Sequence, residues 1–269
     1  MKTMVQSILT LALLALIASY SAGQNVETII QNSVQANARD WKADPEYSWF
    51  ERDREPHGGT KTFDDLMIFG SPYQRLVAVN GQPLSHQRQE QERQKLEQTI
   101  SERRNESPES RASRIAKYQK DRKRDRLLME QLTHAFKFKL IGEQKLDGYD
   151  VYVLKATPLH GYLPPNMDTQ VLKGMEGKLW IDKKTYQWVK VEAHVIHPVS
   201  IEGFLAQVEP GTEFELEKMA VDDDIWLPKH YSMRAHAKIF FLFGHKSQDD
   251  ETYYQYRKIS PDQALSEAR

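Results

Sequence analysis

The sequence predicts an α+β fold: a strongly curved antiparallel sheet, an incomplete barrel, with an N-terminal helix and an inserted helical pair on its concave side. Three observations predict it. Gly177–Ala193, read as GKLWIDKKTYQWVKVEA, alternates apolar and polar residues on both sides of an Asp-Lys-Lys-Thr turn. That is the pattern of an antiparallel hairpin with one buried and one wet face. The same device recurs from Tyr47 to Arg257, and consecutive hairpins build one large sheet. Between Ser85 and about Thr133 the period of two disappears, and a charged stretch without glycine predicts helices instead.

The first residues carry the marks of export. Lys2 precedes the apolar run Ile8–Ala18, and small residues follow at Ser19–Gly23, which predicts a secretory signal peptide cut after Gly23. The run is shorter than the roughly 20 apolar residues that span a bilayer, so a cleaved signal is expected over an anchor. Zero Cys removes disulfides, thiolate chemistry and a lipid-modified cysteine. The periplasm reconciles export with a Cys-free chain. Loss of Lys2 takes 37 basic and 38 acidic residues to a formal charge of −2. A nucleic-acid binder would carry a basic excess, so no nucleic-acid partner is expected. The expected organisation is a signal at 1–23, one domain at 24–260 with a helical insertion at about 85–134, and a polar tail at 261–269.

In order, Val26–Trp41 is an amphipathic helix with Val26, Ile29, Ile30, Val34, Ala38 and Trp41 at helical spacing and Asn25 as its cap. Pro45 ends it. Strands follow at Tyr47–Glu55, Thr60–Gly70 and Tyr73–Leu84, parted by Gly58-Gly59 and by Gly70-Ser71-Pro72. The insertion reads as two helices, restarted at Ser107-Pro108 with Ser107 as N-cap. Residues Arg88–Glu130 hold 13 Lys/Arg against 9 Asp/Glu, and only Leu96 and Ile100 are apolar in the first helix. The second helix gathers Leu128, Met129 and Leu132 near its C-terminal end. Phe136–Ile141 then pairs with Tyr149–Ala156, and strands at Thr212–Met219, Trp226–Leu242 and Glu251–Ile259 follow the central hairpin.

Alternation assigns an inward set: Tyr47, Trp49, Leu66, Ile68, Val77, Val79, Phe136, Phe138, Leu140, Tyr152, Leu154, Leu179, Ile181, Val189, Val191, Phe214 and Leu216. One helix cannot cover so wide a face, and the inserted helices are poor in apolar residues. That deficit predicts a cavity, with Leu128, Met129 and Leu132 as its lid. Lys117–Arg126 holds six basic and two acidic residues. Lys117, Lys120, Lys123 and Arg124 are the expected contacts with an anionic surface, the basic run projecting away from the sheet.

Signs of catalysis are sparse. There is no Gly-x-Ser-x-Gly elbow, and paired carboxylates such as Asp64-Asp65 read as solvated turn residues. His194, His197, His230 and His236 would need to converge within about 2.0–2.3 Å of a metal to bind zinc, and no Cys assists them. No catalytic residue, metal or cofactor is expected.

RLVAVNGQPLS at Arg75–Ser85, FKLIGEQKLDGYDVYVLKATP at Phe138–Pro158 and GKLWIDKKTYQWVKVEA together resemble the LolA-like superfamily of lipoprotein localisation factors, of the outer-membrane lipoprotein-sorting type. The resemblance covers roughly Val26–Ile259. It implies a bent sheet around helices with an apolar concave surface that shelters acyl chains. By that resemblance the chain is a non-enzymatic periplasmic carrier of acyl chains or lipoproteins, in sorting or envelope surveillance. Its partners would be lipoprotein or lipid acyl chains, an anionic membrane surface or an envelope protein. A cell-envelope hydrolase and a structural module built on the charged helical pair are the competing classes. The chain departs from a minimal carrier in its long charged insertion.

Overall fold

The structure, a computed structural model, describes residues 25–56, 58–201, 206–239 and 243–259. The expected signal peptide at 1–23 and the tail at 261–269 lie outside the described residues. Helix α1 spans Val26–Ala43, and the Asn25 side chain accepts the Glu27 N–H at 3.1 Å. Ile29, Ser33, Ala36 and Asp40 are buried at helical spacing. At 1.5 Å per residue α1 is about 27 Å long.

Among the described residues, thirteen strands form one open sheet. They are β1 Tyr47–Arg54, β2 Thr60–Ile68, β3 Ser71–Val79, β4 Gln82–Pro83, β5 Phe136–Leu146, β6 Tyr149–Pro158 and β7 Met175–Asp182. Then come β8 Trp188–Val195, β9 Val199–Ile201, β10 Ala206–Val208, β11 Glu213–Ala220, β12 Trp226–Ile239 and β13 Phe243–Lys258. The order is β4-β3-β2-β1-β13-β12-β11-β8-β7-β6-β5, with β9 and β10 attached beside β12. Neighbours are antiparallel, and β13 returns to pair with β1. Helix α1 touches both β5 and β12. Its length matches the five strand spacings between them, about 4.8 Å each, so it lies across the strands of one face, called here the inner face. Local chemistry sets the hairpins: Asp147 and Gly148 have φ of 50° and 89° and join β5 to β6, the left-handed pair that a two-residue hairpin turn requires.

The inserted helices are α2, His86–Asn105, and α3, Pro108–Ala135. Ser85 and Ser107 cap them by accepting the Arg88 and Ser110 N–H groups at 3.4 and 3.2 Å. The pair clasps the β2–β3 turn. Arg103 donates to the carbonyls of Ile68 at 2.9 Å and Ser71 at 2.8 Å, and Arg114 donates to Phe69 O at 3.2 Å and Ser71 Oγ at 2.7 Å.

The fold class stands, while several positions differ from the sequence reading. The two helices do not share a face. Leu96 and Ile100 of α2 pack with Leu66 and Ile68 on the outer face of β2, whereas Leu128, Met129 and Leu132 of α3 reach the inner core. Leu66 and Ile68 are therefore not inward: alternation shows which residues share a face, and here Glu51, Asp53 and Asp65 hold inward positions on β1 and β2. Val189 also turns outward, joining Val151, Val153, Trp180 and Trp226. Trp180 pairs with Lys190 and Ile181 with Trp188, so Val189 is the extra residue of a bulge, which flips the side-chain phase. A second bulge leaves Val77 unpaired between Leu76 and Ala78. Val77 and Val79 are half-buried on β3 and join none of the described apolar clusters.

Candidate ligand-binding cleft

The inner core explains why a cleft forms. Leu154 and Ile181 are wholly buried at its base, where truncation to Ala would cost about 2–5 kcal/mol. Above them the C-terminal half of α3 leans over β5–β8 and β11, held because Ala135 runs directly into Phe136 of β5. Helix and sheet do not close fully. Between them lies a cavity of about 180 Å³ with an apolar accessible wall. Leu128, Met129, Leu132, Phe136, Phe138, Leu179, Val191, Phe214 and Leu216 line it. Leu140 packs against the same core. Ala156, Met175, Trp188 and Met233 complete the wall, with Val171 and Leu172 from a 3₁₀ turn at Asp168–Gly174. That turn had no periodic signal in the sequence.

A second cavity of about 360 Å³ lies under α1 and shares Met129, Trp188 and Leu216 with the first. Its walls add Val34, Trp41, Trp226 and Leu227, and its floor is polar. There Lys218 Nζ donates to Asn37 Oδ1 at 2.9 Å and pairs with Asp40. Asp40 also accepts the Trp226 N–H at 3.0 Å and Gln187 Nε2 at 2.9 Å. Burial pushes the Lys218 ammonium below its usual range, opposed by the Asp40 carboxylate. The pair fastens α1 to β11 while its charges cancel.

The basic run of α3 divides between two roles, and this corrects the expectation that all of it projects outward. Arg122 donates to the Trp41 carbonyl, and its guanidinium lies 4.0 Å from the Trp41 ring centre. Arg126 sits 5.0 Å from the same ring. These stacked contacts join α3 to α1. Lys117, Lys120, Lys123 and Arg124 are exposed.

Toward β1 and β13 the inner face becomes acidic. Glu51, Asp53, Asp65 and Glu251 occupy neighbouring inward positions beside Trp49, Tyr253 and Tyr256. Trp49 belongs here rather than in the apolar cleft, its Nε1 3.4 Å from Glu51 Oε2. Gln74 Nε2 reaches the other Glu51 oxygen at 3.3 Å. Burial, with Asp65, Asp53 and Glu251 nearby, pushes Glu51 up to about 8. Burial likewise lifts Asp65 to about 7, against a lowering hydrogen bond from Gln74. Tyr253, which donates to Glu251, is also raised by burial. Asp64, on the outer face, is buried and bridged by Arg75 and Arg257. The Asp64-Asp65 pair is therefore not a solvated turn.

The histidines do not converge. His194 Nε2 lies 3.3 Å from Glu176, and His230 Nε2 lies 3.3 Å from Asp250. Among the described residues no group of three His, Cys, Asp or Glu is arranged to hold a metal ion. Nor, among them, is any helix long and apolar enough to cross a membrane.

No family model matches the chain, and no curated protein sequence does. Among solved structures it is similar to an outer membrane lipoprotein-sorting protein domain from Vibrio parahaemolyticus, at 12% identity over 91% of this chain and 100% of the other, with a TM-score of 0.33. It is similar to a LolA superfamily protein from Nitrosomonas europaea at 13% identity over 88% and 94% of the two chains, TM-score 0.29. The Pseudomonas aeruginosa MucA/MucB complex gives 11% identity over 88% and 97%, TM-score 0.24. Likenesses this distant carry nothing about individual side chains or ligands.

Proposed function

We propose that this chain is a non-enzymatic, exported carrier that shelters acyl chains of lipids or lipoproteins in the periplasm, within lipoprotein sorting or envelope surveillance. One observation supports the reading: the apolar cleft under α3 adjoins the tryptophan-lined cavity under α1, with Met129, Trp188 and Leu216 lining both. The two adjoining cavities, of about 180 and 360 Å³, together fall in the range of ligand sites, which runs from about 300 to 1,000 Å³. A continuous apolar wall favours an alkyl chain, because each methylene moved from water into it gains about 0.8 kcal/mol. The Lys218–Asp40 pair adds polarity to the floor with no net charge, so it does not demand an ionic ligand. Leu128, Met129 and Leu132 act as the lid because they roof the cleft from a helix anchored at one end.

Gentle purification followed by lipid extraction and mass spectrometry tests the reading. A stoichiometric lipid, or uptake of a fluorescent fatty acid by delipidated protein, is the expected result. Protein that is lipid-free and also refuses the fatty acid removes the proposal.

A further inference from the structure

We propose that the loop Leu159–Met167, between β6 and the 3₁₀ turn, is a lipid-docking tip that seats the mouth of the cleft against an anionic bilayer. Four large apolar side chains stand exposed among the described residues: Ile141, Leu159, Leu163 and Met167. Three lie in this nine-residue loop, and Leu163, at its centre, is 86% exposed. Single exposed leucines are ordinary on protein surfaces, but three concentrated on one projecting loop form a contact surface.

The loop is also braced. Tyr162 is buried and its hydroxyl donates to Gln131 of α3 at 2.9 Å. The Leu159 N–H donates to the Ala135 carbonyl at 2.7 Å. Asn166 Oδ1 accepts the Thr169 N–H at 3.0 Å, and Pro164-Pro165 stiffens the crest between these ties. Leu163 and Met167 are thus held outward by a frame. Both feet of that frame are walls of the cleft: Val171 and Leu172 follow the loop, while Leu128 and Met129 of α3 lie just before Gln131 and Leu132 just after it. A bilayer touching Leu163 therefore lies next to residues that wall the cleft.

Charge selects the surface. Exposed Lys137 and Lys173 flank the apolar tip, against Asp168 within the segment that follows it. An apolar centre with a basic border fits anionic headgroups over an acyl layer. The inference gives the acyl-binding reading a place of loading, but its test stands apart from ligand binding.

The experiment is co-sedimentation with vesicles of phosphatidylglycerol and phosphatidylcholine, beside phosphatidylcholine alone, with fatty-acid affinity and sedimentation velocity measured in parallel. The parent should partition onto the anionic vesicles. Leu163→Asp and Met167→Asp should each lower that partition at least about ten-fold, with thermal stability unchanged because both side chains are exposed. Loss of vesicle binding in a protein that never takes up fatty acid would sustain the docking tip and remove the acyl-binding reading. A parent that ignores anionic vesicles, or variants that partition like the parent, would overturn the tip. Variants that only dissolve a dimer would assign the loop to a second copy of the chain and overturn it equally.

Discussion

Lys218→Met separates a structural ion pair from an incidental one. Lys218 and Asp40 side chains are 7% and 4% exposed, and Asp40 also accepts the Trp226 N–H and Gln187 Nε2 among the described residues. Removing the lysine leaves a carboxylate desolvated without its counter-charge, a change that costs about 3–5 kcal/mol. For a domain of 150–250 residues each kcal/mol lowers Tm by about 2–4 °C, so a fall of about 6–20 °C is expected. Asp40→Asn combined with Lys218→Met should recover most of it. The amide can still accept from Trp226 and Gln187, and no charge is left buried. Differential scanning calorimetry of both single variants and the double variant measures the coupling. A double variant as unstable as the sum of its parts, or a Lys218→Met shift below about 2 °C, would refute the reasoning.

Four further outcomes are expected. Glu51 and Asp65 are raised to about 8 and about 7 in the folded protein, against unfolded values of about 4.3 and 3.9. Above those unfolded values the unfolded chain releases protons that the folded one retains. Their contribution is therefore complete below about pH 4 and is lost as pH rises through about 7 to 8; urea unfolding at pH 5.5 and 8.5 reads it, and Glu51→Gln should flatten the difference. Leu128→Asp with Leu132→Asp should raise the release rate of a bound fatty acid while far-UV circular dichroism keeps its sheet signal; unaltered release removes the lid. Reversing Lys120, Lys123 and Arg124 should weaken binding to anionic vesicles with little change in Tm, since exposed pairs contribute about 0–1 kcal/mol. Arg122→Ala should do the opposite, lowering stability by about 0.5–2 kcal/mol through its lost Trp41 stacking while vesicle binding persists.

What the sequence disclosed follows from where the signal is local. The Asn25 and Ser107 capping positions and the Asp147-Gly148 turn are each written within a few residues. The structure places Asn25 and Ser107 as caps, as the sequence indicates. Facing is a longer-range property. Leu66 and Ile68 alternate correctly, yet β2 buries both faces: its outer side lies under α2, and its inner side carries Asp65. A single-residue bulge was enough to turn Val189 outward. Arg122 looked like one cation in a solvated run, because nothing nearby in the chain announces that Trp41 of another helix lies beneath it. The buried carboxylates were illegible for the same reason, since Glu51, Asp65 and Glu251 meet only once β13 has returned to β1. The 3₁₀ turn at Asp168–Gly174 has too few residues for any period to show.

Tryptophan quenching by a nitroxide-labelled fatty acid tests the central claim most directly, because Trp41 and Trp188 line the adjoining cavities. Saturable quenching near one equivalent is expected, reduced when Trp41 and Trp188 are replaced by Phe. Quenching that never saturates, or that is indifferent to those two replacements, would place the alkyl chain outside the cleft and contradict it.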